Sequence, residues 1–301
     1  MDHQTRVLIL GGAGMLGHKL WLTCKDRFDT SITLRQSFEQ VSALGFFERA
    51  KTFDGIDLTK LQTLIPVLEK LKPDVVVNCV GVVKQITKEH DPVTSLQINA
   101  LLPQALAKMA GQFHFKLIHI STDCVFDGTK GNYSEEDPPS AEDLYGLTKL
   151  LGEISEPPAL TLRTSMIGRE LSRHLSLLEW VLCRQPKEKV KGYTHAIFSG
   201  FTTPALAEAI AQIIQKQLHL TGIYHLSSHP ITKYDLLKKL QKGFGLDIDV
   251  TPFDDFCCDR SLNGSRFNKA TGFVPPSWDE MIEGLVKENT FYQELKNELR
   301  R

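Results

Sequence analysis

An apolar strand candidate, Val7-Leu-Ile-Leu10, runs directly into Gly11-Gly-Ala-Gly-Met-Leu-Gly17 and from there into a helical pattern over Met15–Lys25. A strand that turns this tightly into a helix forces a βα unit at the start of the chain. It also leaves backbone amides at a helix N-terminus, where glycines let a pyrophosphate approach closely. The spacing fits both GxGxxG from Gly12 and GxxGxxG from Gly11, so Gly11, Gly12, Gly14, Met15, Leu16 and Gly17 are all candidate cofactor residues.

The same alternation continues. Strand candidates at Arg6–Leu10, Ser31–Leu34, Asp74–Val80, Lys116–Ser121 and Ala159–Arg163 are nearly continuous apolar runs, as expected of strands buried on both faces. Helical periodicity separates them at Leu58–Leu71, Val93–Ala110 and Tyr145–Glu153. The expected fold is α/β, a doubly wound parallel sheet covered by helices. After about residue 165 the strand candidates shorten to VKGY and IYHLS. Helices are expected at Pro204–Lys216, Lys233–Gly243 and Trp278–Arg300. Residues 1–165 read as a dinucleotide-binding unit carrying the chemistry, and 166–301 mainly as a substrate-binding lobe interleaved with the sheet. The segment 37–50, SFEQVSALGFFERA, fits a core helix, a lid or an oligomer contact equally well.

A net charge of -1 over 301 residues supplies no field for nucleic acid, and no apolar run is long enough for a membrane span or a signal peptide. A cytoplasmic protein is expected. Cys24, Cys79, Cys124, Cys183, Cys257 and Cys258 form no CxxC pair, which suits reduced thiols, with Cys257 and Cys258 in a loop. Pro230 argues against a helix that would pair His225 with His229, so no metal site is assigned.

About twenty residues past the glycine turn, where an acid would hold a ribose 2′-hydroxyl, stands Arg35. A guanidinium there suits a 2′-phosphate, so NADPH is expected, with NADH as the alternative. Downstream, Tyr145 and Lys149 are four apart and share one helical face. They follow a Ser121-Thr122 pair at a strand end, so that Lys149 can lower the phenol pKa while Thr122 supplies a second hydroxyl to a carbonyl oxygen. A Tyr-x-x-x-Lys pair alone occurs often by chance; its value lies in this setting.

GGAGMLG, NCVG at Asn78–Gly81, STDCVFDG at Ser121–Gly128 and YGLTKLLGE at Tyr145–Glu153 together resemble the extended short-chain dehydrogenase/reductase family. Within that Rossmann-like family the chain is most similar to the dTDP-4-dehydrorhamnose reductase branch, strongly up to about Arg163 and more loosely beyond. The resemblance implies Thr122, Tyr145 and Lys149 as catalytic residues, Asp57 and Leu58 near the adenine, and Asn78, Cys79, Val80 and Gly81 beside the cofactor. It implies reduction of a nucleotide-linked 4-keto-6-deoxy sugar for surface polysaccharide biosynthesis. Related dehydratases carry Asp-Glu after the threonine, whereas this chain has Asp123-Cys124; the elimination base is missing, and Cys124 also departs from the tyrosine usual in the reductases.

Candidate substrate residues are Lys84, Asp123, Cys124, Arg163, Arg169, His195 and Arg260, with Arg266 a further cation for a diphosphate. Arg260 fits a surface ion pair equally well, and His195, a lone histidine beside aromatics, fits a packed residue better than a ligand. Phe198, Phe201 and Tyr193 read as core or pocket wall. The rivals are an NAD-retaining epimerase and a non-catalytic NADP-binding regulatory subunit. The partner expected is the nucleotide sugar, and a homodimer is one candidate assembly.

Overall fold

A computed structural model describes residues 4–82, 91–172 and 175–298. Twelve strands are described: β1 (Arg6–Leu10), β2 (Asp29–Thr33), β3 (Thr52–Phe53), β4 (Val75–Asn78), β5 (Lys116–Thr122), β6 (Ala159–Thr164), β7 (Met166–Ile167), β8 (Lys189–Phe198), β9 (Phe201–Thr202), β10 (Gly222–His225), β11 (Ile231–Thr232) and β12 (Asp249–Asp259). The helices are α1 (Met15–Cys24), α2 (Glu39–Ser42), α3 (Ile65–Leu71), α4 (Pro92–Leu96), α5 (Leu102–Phe113), α6 (Leu144–Leu151), α7 (Leu177–Leu182), α8 (Thr203–Lys216), α9 (Lys233–Phe244), α10 (Ser265–Thr271), α11 (Trp278–Lys287) and α12 (Asn289–Glu298).

Seven strands form one parallel sheet in the order β10-β6-β5-β4-β1-β2-β3. The order reverses direction at β1, opening a crevice at the carboxyl ends of β1 and β4, where doubly wound sheets bind their ligands. Val75, Val76 and Val77 are fully buried because alternate residues of β4 face two separate apolar clusters, one on each side of the sheet. β10 comes from the second half of the chain yet pairs with β6, so that half contributes to the central sheet. The remainder of the second half builds a small sheet, β11-β8-β12.

Three expected helices depart from a regular α-helix, each for a local reason. Leu58–Leu71 resolves into a 3-10 turn at Leu61–Thr63 and then α3, because Pro66 supplies no amide and suits only a helix start. Val93–Ala110 is continuous but passes through a π-helical turn at Gln97–Leu101. Pro103 cannot donate to the carbonyl of Asn99, and that carbonyl meets Gly152 so closely that a Cβ there would lie 2.0 Å from it. Trp278–Arg300 breaks at Glu288 into α11, which opens with a Ser277/Glu280 capping box, and α12. Cys257 and Cys258 lie on β12 rather than in a loop.

The 37–50 segment contributes to the core. After the single turn of α2, Val41, Leu44, Phe46 and Phe47 are buried, and the Trp21 indole donates to the Phe46 carbonyl at 3.0 Å. The far end of the described chain returns to α1. His18 Nδ1 lies 2.7 Å from the Gly14 carbonyl and must donate to it, which leaves Nε2 to accept from the Tyr292 hydroxyl at 2.7 Å. Lys19 pairs with Glu288 at 2.6 Å beside this contact. Burial holds His18 neutral, its pKa lowered to about 4.

Candidate active site

β1 delivers the glycine turn to the crevice. Gly11 has φ +81°, and a Cβ on Gly17 would lie 2.1 Å from the Gly11 carbonyl oxygen, so neither position accepts a side chain. The turn is closed by Gly14 N donating to Gly11 O at 3.0 Å. Among the described residues no side chain caps the first turn of α1, whose amides are available to a ligand.

Along the neighbouring strand ends, Arg35 is exposed just past β2, and its charge acts on Asp57 beyond β3. The Asp57 carboxylate is held low chiefly by hydrogen bonds from the Thr59 hydroxyl and amide. Leu58 is buried. Asn78 also turns inward: its Oδ1 accepts from Val80 N at 3.1 Å and its amide meets His119 Nδ1 at 3.2 Å. Asn78 therefore shapes the strand end, and Cys79, Val80 and Gly81 reach the cleft.

The opposite wall is built by β5 and α6. Thr122, the last residue of β5, donates to Asp123 Oδ1 at 3.1 Å and accepts from Cys124 N at 3.1 Å. Asp143 caps α6 by accepting from Gly146 N at 2.8 Å, and a Cβ on Gly146 would lie 2.3 Å from the Cys124 carbonyl. This contact seats Tyr145 beside the Thr122–Cys124 turn. One helical turn on, Lys149 Nζ donates to the Ile120 carbonyl at 2.6 Å.

Gly14, Met15, Leu16, Cys79, Val80, Gly81, Thr122, Asp123, Cys124, Tyr145 and Lys149 line one cleft of roughly 380 Å3. Its electrostatics differ from the expectation that Lys149 lowers the Tyr145 phenol. Burial pushes the phenol up, as do Cys124, Asp123 and Asp143, while a hydrogen bond with Thr122 pulls the other way. Lys149 answers to Ile120 instead, and burial lowers it to about 8 against the attraction of Glu153 and Cys79. At neutral pH the site holds a neutral phenol beside a charged lysine.

The expected cations for a diphosphate fare differently. Arg163 and Arg169 are corrected to internal ion pairs: Arg163 meets Glu153 at 2.7 Å and Arg169 meets Glu179 at 2.8 Å, all four side chains at most 4% exposed. Neither guanidinium reaches the cleft; each satisfies a carboxylate whose burial unpaired would cost several kcal/mol, on the order of 3–5. His195 is exposed on β8 and outside the cleft. Arg260 donates from Nε to the Phe126 carbonyl at 2.7 Å and acts on Asp123 from behind the wall. Arg266 is exposed, 4.8 Å over the Tyr224 ring. Lys84 lies outside the described residues.

Several lining residues escape sequence reasoning. Thr164, Ser165, Met166 and Ile167 continue the chain from β6 into the cleft, and Lys233 closes its far side beside Phe198, itself expected as core or pocket wall. Lys233 does leave a trace in the sequence. It is the first residue of α9, a helix capped by Thr232, and a cation at the positive helix end is unfavourable unless it serves something else. Asn99, in the π-turn, is a second omission. Its side chain bonds Val82 N at 2.9 Å, Val82 O at 3.0 Å and Thr148 Oγ1 at 3.2 Å, tying the β4 loop to the helix of Tyr145.

Among the described residues no cluster of three or more His, Cys, Asp or Glu is arranged to hold a metal ion, and no helix is long and apolar enough to cross a membrane.

The family described as the RmlD substrate binding domain matches residues 5–291. Rat methionine adenosyltransferase 2 subunit beta is 34% identical over 148 residues, a stretch that takes in 49% of this chain and only 41% of that relative's length. The dTDP-4-dehydrorhamnose reductase of Aggregatibacter actinomycetemcomitans is 26% identical over 94% of this chain and 98% of its own. Among solved structures, a dTDP-4-dehydrorhamnose reductase of Bacillus anthracis in complex with NADP superposes with a TM-score of 0.76 at 22% identity, covering 95% of this chain and all of the other. That likeness establishes a shared extended Rossmann-like fold.

Proposed function

Because the chain belongs to the RmlD substrate binding domain family, we propose that it is an NADPH-dependent reductase of the C4 carbonyl of a nucleotide-linked 4-keto-6-deoxy sugar used in surface polysaccharide assembly. The observation that carries this reading is the single cleft in which a glycine turn faces Thr122, Tyr145 and Lys149. A dinucleotide fits that turn, since Gly11 and Gly17 leave no side chain between it and the free amides of α1. The exposed guanidinium of Arg35 at the end of β2 suits a 2′-phosphate. When bound, NADPH supplies the hydride.

The chain's own residues do the rest. Tyr145, held neutral by burial, keeps a proton on its hydroxyl for the developing alkoxide, and Thr122, within hydrogen-bonding reach of that phenol, offers a second hydroxyl to the same oxygen. Lys149 is charged below about pH 8, and its tie to Ile120 points the ammonium along the β5 wall. Cys124 in the place of an elimination base supports carbonyl reduction over loss of water.

The test is oxidation of NADPH against UDP- and dTDP-linked 4-keto-6-deoxy sugars, with product stereochemistry determined. One NADPH is expected to be consumed per sugar reduced, and Tyr145→Phe is expected to lose about a hundredfold or more in kcat. Conversion of the sugar without net NADPH consumption would instead identify an epimerase.

A second reading rests on the match to methionine adenosyltransferase 2 subunit beta. It makes the chain a dinucleotide-binding subunit of a partner enzyme. Protein that binds NADPH, oxidises none with any sugar in the panel, and alters the kinetics of a methionine adenosyltransferase would favour it.

A further inference from the structure

Lys233 is a charged group that the mechanism leaves without a task. Among the described residues lining the cleft, the carboxylic and amino side chains are Asp123, Lys149 and Lys233, and Lys149 is already bonded to the Ile120 carbonyl. The Lys233 ammonium sits 4.0 Å over the Phe198 ring and, among the described residues, has no hydrogen-bond or ion-pair partner. Apart from that ring contact and the attraction of Asp123, its placement does not favour folding. It stands at the positive end of α9, on a helix already capped by Thr232, which accepts from Asp235 N at 2.9 Å. Burial disfavours its charge, and Asp123, Cys124 and Cys258 only partly restore it. An ammonium kept against helix dipole and desolvation is retained for a ligand.

Its position says which part of a ligand it meets. Asp123 and Cys124, which it faces, directly follow Thr122 and adjoin Tyr145, so Lys233 stands at the reacting end of the cleft. The phosphate-binding turn at Gly11–Gly17 lies on the other wall. Asp123 beside it accepts hydrogen bonds, and its carboxyl is raised by burial and therefore gains from a donor. An ammonium donor next to a carboxylate acceptor matches two neighbouring oxygens of a sugar, one accepting and one donating.

We propose that Lys233 is the substrate-selecting residue of the cleft, donating to an oxygen substituent on the ring carbon next to the reacting carbonyl, with Asp123 accepting from an adjacent hydroxyl. This rests on the reductase reading. It makes the protein selective for sugars that are oxygenated beside the keto group, and it places the expected diphosphate contact elsewhere.

The test compares wild type, Lys233→Met and Lys233→Arg with UDP- or dTDP-linked 4-keto-6-deoxyglucose and with its 3-deoxy counterpart, alongside the NADPH Kd by fluorescence. Lys233→Met is expected to raise KM about tenfold or more for the oxygenated sugar, to change KM for the 3-deoxy sugar less than threefold, and to leave the NADPH Kd within twofold. Lys233→Arg is expected to recover part of the loss. An unchanged KM in Lys233→Met, an equal loss on both sugars, or a weakened NADPH Kd overturns the assignment. An unaltered NADPH Kd also certifies that the variant is folded. Wild type that oxidises no NADPH with either sugar sinks the reductase reading itself, an outcome distinct from all of these.

Discussion

The two walls of the cleft are made in different ways. The wall of β1, β4 and α1 presents backbone: a glycine turn, uncapped amides and the strand-end residues Cys79–Gly81. The wall of β5, α6, β8 and α9 presents side chains: Thr122, Asp123, Tyr145, Phe198 and Lys233. A backbone wall serves any chain that must hold the same cofactor, because amide geometry is independent of side-chain identity. A side-chain wall can change its substrate by single substitutions without disturbing the other side.

The difference can be broken most severely at Gly17. Gly17→Ala puts a Cβ 2.1 Å from the Gly11 carbonyl oxygen, where only backbone could yield. We expect loss of NADPH binding together with destabilisation of about 3 kcal/mol or more, read by fluorescence titration and urea melts. Retention of NADPH affinity would show that this wall does not depend on its backbone.

Arg163→Met tests the claim that a strong cation near the site belongs to the framework. Leaving Glu153 buried and unpaired should cost about 3–5 kcal/mol in urea unfolding, with KM for the sugar unchanged in whatever protein remains folded. A rise in KM without loss of stability would return Arg163 to the substrate.

Arg35→Ala should weaken NADPH by about tenfold to a hundredfold and leave NADH within twofold, since only the 2′-phosphate loses a charge-assisted partner. Equal effects on both cofactors would contradict its role. The smallest effect expected is in pH dependence. Lys149 carries its charge below about pH 8 and loses it above, so kcat should fall as pH rises through 8, by up to about tenfold per unit. The raised phenol of Tyr145 keeps its own titration out of that range. Lys149→Arg should move the limb upward.

The backbone wall is also the part that can be read in the sequence. Arg6–Leu10 appears with its observed bounds, and the strand ending in Thr122 is short by one residue, because strands buried on both faces must be apolar throughout and are punctuated by turn residues. Placement dictated by local spacing, such as Tyr145 and Lys149 one helical turn apart on α6, is equally legible. What stays hidden is partner choice. Arg163 and Arg169 look like phosphate ligands in one dimension, and only the packing of β6 against α6, and of α7 against the loop after β7, brings Glu153 and Glu179 to them. The Lys149–Ile120 bond is hidden for the same reason: i and i+4 spacing fixes the face a side chain shares, and the strand behind it decides where the ammonium points. Lys233 is separated from Tyr145 by the six strands β6 to β11 and declares itself only as a cation at the wrong end of its helix.

The contact between His18 and Tyr292 spans 274 residues of sequence, and this separation sets an order in time. A ribosome completes the glycine turn and α1 long before it supplies their brace. At about 5–20 residues per second, the nascent nucleotide site waits on the order of tens of seconds for the hydroxyl that locks the His18 tautomer under Gly14. A chain stopped before α12 would therefore carry an intact glycine signature on an unlatched turn.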